Sequence, residues 1–161
     1  MAEAARQRQN ARPMPGNYIE RRMVGQALAL WERLRGGRSF PTRADCQDVA
    51  AGEIEPNTFL IAVSDNEDED EVVGCGTALR DALGCDPTGQ KVGKVLPSAT
   101  ERGLTFWRVA AELKKPIADI GSFTNAKGEE VLYRSVLLPL SDDQERVNFL
   151  LGAFSFRRAP A

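Results

Sequence analysis

No histidine occurs among the 161 residues, which removes the side chain that most often ligates metals and acts as a general base near neutral pH. A Ser-His-Asp or Cys-His site, a His-ligated haem and a phosphorylated histidine are therefore excluded on this chain. Carboxylate, lysine and cysteine chemistry stay open. The three cysteines, Cys46, Cys75 and Cys85, form an odd set without Cys-x-x-Cys spacing, which fits reduced thiols better than a disulfide framework. Cys75 and Cys85 read as small buried hydrophobes. Carboxylates concentrate in Asp65-Asn66-Glu67-Asp68-Glu69-Asp70-Glu71. That run could attract a hard cation, but it lacks the glycine and distal glutamate spacing of a calcium loop. Its charges repel one another, so it is expected to be a solvated loop between two strands.

Two glycine-bearing stretches approach phosphate chemistry without reaching it. In Gly84 to Lys91, Gln90 separates the glycine from the lysine and no Ser or Thr follows. Gly74-Cys75-Gly76 has the first two glycines of a dinucleotide fingerprint and lacks the third. Neither lies between a parallel strand and a long helix, so both read as turn and strand-edge glycines. Asp119 and Lys91 are conceivable bases, yet no pattern around them supports catalysis, and the chain is read as non-enzymatic.

These groups must be held by elements legible in the pattern. The hydrophobic share of 42% and charged share of 27% are those of a globular protein, and the net charge of -2 disfavours a nucleic-acid partner. No stretch approaches the roughly 20 apolar residues of a membrane span, and Met1 to Arg8 lacks a signal-peptide core, so the expected compartment is the cytoplasm. Residues 1–16 are expected to form a flexible tail. A helix is expected from Asn17, which can cap it with Glu20 three residues on, to Gly36-Gly37. Its apolar stripe, Ile19, Met23, Ala27, Leu30 and Leu34 flanked by Val24, Leu28 and Trp31, is wide for one neighbour. This helix lies across a sheet, pairs with its copy in a second chain, or does both. A short helix is expected around Arg43 to Ala51, and strands at Phe59–Val63 and Val72–Leu79.

Short helical or turn pieces fill Asp81 to Leu96. Ser98-Ala99-Thr100-Glu101 is a capping box that opens a longer helix running to about Lys115. Its Leu104, Trp107 and Ala111 face a sheet, with Phe106, Ala110 and Leu113 adjoining, while Arg102, Arg108, Glu112 and Lys114 are expected in solvent. Strands follow at Pro116–Phe123, Val131–Leu140 and Val147–Phe156. The last two are joined by Ser141 to Arg146, which has turn chemistry. Two strands before the helical block and three after it cannot form a parallel doubly wound sheet. The expected fold class is α+β with one antiparallel sheet.

The order and spacing of several short motifs resemble the PAS superfamily, and more closely the short single-domain PAS proteins of alphaproteobacteria. The residues that carry the resemblance are Trp31-Glu-Arg-Leu-Arg-Gly-Gly-Arg38, Pro41-Thr-Arg43, the Gly76-Thr77-Ala-Leu79 strand end, Thr88-Gly89, Leu137-Leu-Pro-Leu140, Val147 and Leu150-Leu-Gly-Ala153. They span about Tyr18 to Phe156. The resemblance implies a five-stranded sheet of order 2-1-5-4-3 with helices on one face, and an N-terminal flanking helix at 17–37 that serves as a homodimer contact through Asn17 to Arg35. It divides the chain into a tail at 1–16, the flanking helix at 17–37, a PAS-like domain at 38–157 and a tail at 158–161. It also implies candidate pocket walls at Cys75, Phe106, Ala110, Phe123, Val136 and Leu138, all of which can equally be ordinary core. Flavin-photoreceptor relatives carry an Asn-Cys-Arg-Phe-Leu-Gln stretch, and no cysteine here has that context. The bound cofactor, if one exists, is not fixed by the residues.

The function implied is a stand-alone sensory or signalling module that binds a small organic ligand, a regulatory protein partner, or both, and signals through dimer or partner contacts. The alternative is a ligand-free dimeric adaptor with a filled core. Parity along the fourth strand leaves its inner face open, because Leu132, Val136, Leu138 and Leu140 on one side are matched by Val131, Tyr133 and Leu137 on the other.

Overall fold

The computed structural model describes residues 15–47, 54–96 and 106–160. Helix α1 (Pro15–Arg35) starts two residues before the expected cap, with proline at its first position, where a missing N–H costs nothing. It ends as expected at Gly36, whose φ of 58° is a left-handed stop. Then come α2 (Arg43–Gln47), β1 (Thr58–Ala62), β2 (Glu71–Cys75), α3 (Thr77–Leu83), α4 (Val92–Val95), α5 (Phe106–Leu113), β3 (Ile117–Thr124), β4 (Glu130–Leu140) and β5 (Phe149–Arg158). Of the tail expected at 1–16, Pro15 and Gly16 are helical and residues 1–14 lie outside the described residues, as do 48–53 and the capping box at Ser98 to Glu101. No helix among the described residues is long and apolar enough to cross a membrane.

The five strands form one antiparallel sheet in the order β2-β1-β5-β4-β3, as expected. One expected boundary is wrong by more than two residues. The second strand stops at Cys75, and Thr77 to Leu83 is helical. Gly76 makes the corner, because a Cβ there would fall 2.5 Å from the Pro56 carbonyl oxygen, and its own N–H bonds Thr58 O at 2.8 Å. Beyond that corner Leu79, Ala82 and Leu83 are buried at helical spacing, and Gly84 closes the helix at φ 79°.

Register assigns the faces. Paired residues of an antiparallel sheet share a face, so Gly74, Leu60, Leu151 and Leu138 form one row, and Cys75, Phe59, Gly152, Leu137 and Ile117 form the next, on the opposite side. Val136 to Leu140 are all buried, which requires cover on both faces. One cover, the back, is α1 with α2. Trp31 Nε1 donates to Pro139 O at 2.8 Å, and the Arg43 guanidinium lies 4.7 Å from the Phe149 ring centroid, on the face of Leu138 and Leu140. The front is covered by α3 and α5, which contact β5 and both β4 and β5 respectively, while α4 packs on the β1–β2 connector. The near-equal parity of β4 thus reflects a strand covered twice, and no single inner face exists. This cover stops short of β3, whose back-face residues Ala118, Ile120, Ser122 and Thr124 are exposed while its front-face residues are half-buried.

The acidic run departs from its expected solvation at one residue. Asp65 to Glu69 are exposed, but Asp70 is 0% exposed. Its carboxylate accepts Trp107 Nε1 at 2.6 Å, Arg108 Nη1 at 3.1 Å and the Ser64 N–H at 2.8 Å. Arg108 also donates to Ser64 O at 2.8 Å. Expected in solvent, Arg108 is instead drawn in by an anion whose burial demands charge-assisted partners. This cluster fastens the β1–β2 connector to α5.

Candidate functional site

The front face of β3, β4 and β5 carries a tier of aromatic rings set by the strand alternation. Phe123 and Tyr133 have centroids 5.8 Å apart, Tyr133 and Phe154 are stacked at 5.7 Å, and Phe154 and Phe156 at 5.9 Å. Such offset spacings favour aromatic contact. Gly121, opposite Tyr133 in register, leaves room for the phenol, since a Cβ there would lie 2.9 Å from the Tyr133 hydroxyl. That clearance lets Tyr133 reach along β3 and donate to Asp119 Oδ2 at 2.7 Å. Farther along the face, Phe59 fills the space over Gly152, where a Cβ would come 2.1 Å from its ring. The front face therefore has a packed end at β1 and Gly152 of β5 and a ring-lined end at β3, β4 and the last residues of β5, where Phe123, Tyr133 and Phe156 are only half-buried.

The six residues expected to wall a pocket divide between the two faces. Phe123 belongs to the ring tier, and Ala110 is fully buried on α5. Phe106 begins α5, and its side chain lies outside the described residues. Val136 and Leu138 are buried, but register puts them on the back face, opposite Phe123, so they do not share one space with it. Cys75 is half-buried at the end of β2, where its Sγ lies 3.3 Å from Gly76 O. Tyr133, Phe154, Asp119 and Gly121 were missed as a group. The signal was present as an alternation of Asp119, Gly121 and Phe123 with Tyr133 facing a glycine, but pairing register is needed to join them.

Burial pushes the Cys46 thiol up to about 11, with the charge of Asp45 adding to it, and burial likewise pushes the Cys75 thiol up to about 11. Both are neutral thiols near pH 7 and weak nucleophiles. Cys85, expected to be buried, is exposed. Asp119 is held by Tyr133, and Lys91 lies 3.6 Å from Glu69. Among the described residues no group of three or more His, Cys, Asp or Glu is placed to hold a metal ion. The arrangement offers a stacking surface with a phenol–carboxylate pair at its margin.

A family profile described as a PAS domain matches residues 20–155. Among solved structures, the LOV domain of the Erythrobacter litoralis blue-light activated histidine kinase is similar at TM-score 0.50 and 14% identity, over 63% of this chain and 95% of that one. A Rhodobacter sphaeroides LOV protein matches at TM-score 0.43 and 19% identity, over 62% of this chain and 57% of that one. The PAS domain of Bordetella pertussis BvgS matches at TM-score 0.37 and 17% identity, over 66% and 76%. No curated protein matches. The first of these shows the same fold, and the expected 2-1-5-4-3 topology agrees with it.

Proposed function

We propose that this chain, which belongs to the PAS domain family, is a sensory and signalling module without catalytic activity of its own. It takes a small organic ligand against the ring tier of Phe123, Tyr133, Phe154 and Phe156, and it passes the bound state to α1. The observation that carries this reading is the two-sided cover of β4 and β5. Their front face holds the ring tier, and their back face, one strand thickness away, holds α1 through Trp31 and Pro139. A shift of β4 on binding therefore alters the seat of α1 directly. Leu28 and Val24 of α1 pack on the same core, and α1 then presents its outer side to a second copy or a regulatory protein.

A thermal-shift screen of metabolites on the full chain tests this. At least one compound is expected to raise Tm, with the gain lost in Gly121→Ala, where the added methyl displaces Tyr133, and with a change in mass by light scattering on binding. A screen in which nothing moves Tm favours the dimeric adaptor with a filled core instead.

A further inference from the structure

A hollow lies on the back face, away from the ring tier, and its origin is a missing side chain. Gly74, Leu60 and Leu151 form one cross-strand row, and where β2 should contribute a side chain it has only hydrogen. Among the described residues, and leaving out its chain neighbours, a Cβ built at Gly74 would meet Leu60 Cβ at 3.7 Å, which is ordinary contact. Over this gap α2 places Arg43 and Cys46, and a pocket of about 270 Å³ results, with Glu55 also on its wall. The floor is aliphatic, and Cys46 is a neutral thiol that behaves as a small hydrophobe.

Arg43 is the cation on the wall, which also carries Gln47, Glu55 and Thr58. Its Nε is buried and has no hydrogen-bond partner, and among the described residues no carboxylate pairs with its guanidinium. It rests on the Phe149 ring at 4.7 Å. The Nε is sealed, so what an oxygen anion in the hollow meets is the remaining part of the guanidinium, which lines the wall without a carboxylate partner among the described residues. Asp142, the nearby carboxylate, is committed to the Arg43 backbone N–H at 3.2 Å and to Asn148 Nδ2 at 3.0 Å. Glu55 on the same wall leaves no net positive charge, so an anion is held there through the directed donors of Arg43 and a second anionic group is disfavoured. The volume lies just under the about 300–1,000 Å³ of pockets for drug-sized ligands, which sets the class as small.

We propose that the hollow between α2 and the Gly74–Leu60–Leu151 row is a binding site for a small monocarboxylate, its oxygens on Arg43 and its apolar body on the leucines. This goes beyond the front-face reading and does not depend on it. Benzoate and hexanoate, each compared with its own primary amide, are titrated into the full chain while the backbone amide resonances of Gly74, Leu60 and Tyr133 are followed. The acids are expected to shift Gly74 and Leu60 saturably and to bind about tenfold more tightly than the amides, as one charge-assisted contact supplies. Arg43→Gln is expected to erase that preference. Gly74→Val, which fills the hollow and keeps the cation, is expected to abolish binding. If Gly74→Val does not fold, Leu60→Phe serves the same purpose. Equal binding of acid and amide, an acid preference that survives Arg43→Gln, or no saturable shift at millimolar concentration overturns the proposal. Shifts confined to Tyr133 also overturn it, while supporting the front-face site.

Discussion

Two connectors of similar composition join strands in this molecule, and they are built in opposite ways. The first, Ser64 to Asp70, links β1 to β2; the second, Ser141 to Arg146, links β4 to β5. Both open on a serine and carry adjacent carboxylates. In the second, Gln144 and Asp142 reach back to Phe40 and Arg43, but the central carboxylate, Asp143, is satisfied within the connector. Asp143 Oδ1 accepts the N–H groups of Glu145 and Arg146 at 2.9 and 2.8 Å, and the Ser141 hydroxyl at 3.0 Å, all within a few residues. The first ends in a carboxylate turned inward onto Trp107 and Arg108, more than 35 residues away. Local donors can satisfy an exposed carboxylate, whereas a buried one recruits charge from another element. Composition does not distinguish the two cases. What separates them is whether a cation and an indole N–H lie on a neighbouring helix.

The comparison breaks most sharply at Asp70. Asp70→Ala leaves Arg108 and Trp107 facing an empty buried site and is expected to lower unfolding free energy by about 3–5 kcal/mol in urea titration. A loss no larger than that of Asp143→Ala would mean that the two connectors are equivalent after all. Next comes Trp107→Phe, which keeps most of the ring and removes one donor, with an expected loss of about 1–3 kcal/mol by the same measurement. Asp143→Asn should do less, and its signature is in pH. Hydrogen bonds from Arg146 and Glu145 hold the Asp143 carboxyl below the usual aspartate range. Its contribution is therefore complete above the unfolded-state value and disappears as pH falls through the lower folded value. Stability profiles of wild type and Asp143→Asn should converge in acid and separate as pH rises toward neutrality. The smallest effect is expected at the ion pair between the connectors, Arg146 with Asp65. Both partners are exposed, so Arg146→Ala is expected to change stability by about 0–1 kcal/mol, and added salt should erase the difference.

Where the sequence was legible, the reason is periodicity. α1 and the strands after α5 were found because their apolar repeats are long and their stops, Gly36 and Pro116, are chemically unambiguous. The antiparallel class followed from counting strands on either side of the helical block, whereas the strand order came from the family resemblance. The boundary at Gly76 was not legible, because Thr77-Ala78-Leu79 continues an apolar run and only the approach of the Pro56 carbonyl forces a turn. Asp70 was not legible either, since its partners sit on α5 and nothing local marks it off from Asp68. The ring tier fell between these cases: its residues alternate correctly, but which faces they share depends on the register of β3 with β4 and of β4 with β5. That Val136 and Leu138 lie on the face away from Phe123 was illegible for the same reason. Their strand is apolar on both faces because α1 covers the second.

The bond between Trp31 and Pro139 has a spectroscopic consequence. β3 pairs with β4 only as far as Leu137, so Pro139 sits where β4 has no neighbour on that side and its lack of an N–H breaks no ladder. Its carbonyl is taken by the indole of α1. Proline carries no amide proton, which leaves the Trp31 indole proton as the deuterium-exchange reporter of that contact. Exchange there that outruns the amides of Leu138 and Leu150 measures α1 lifting from an intact sheet. Exchange in step with them measures the whole fold opening.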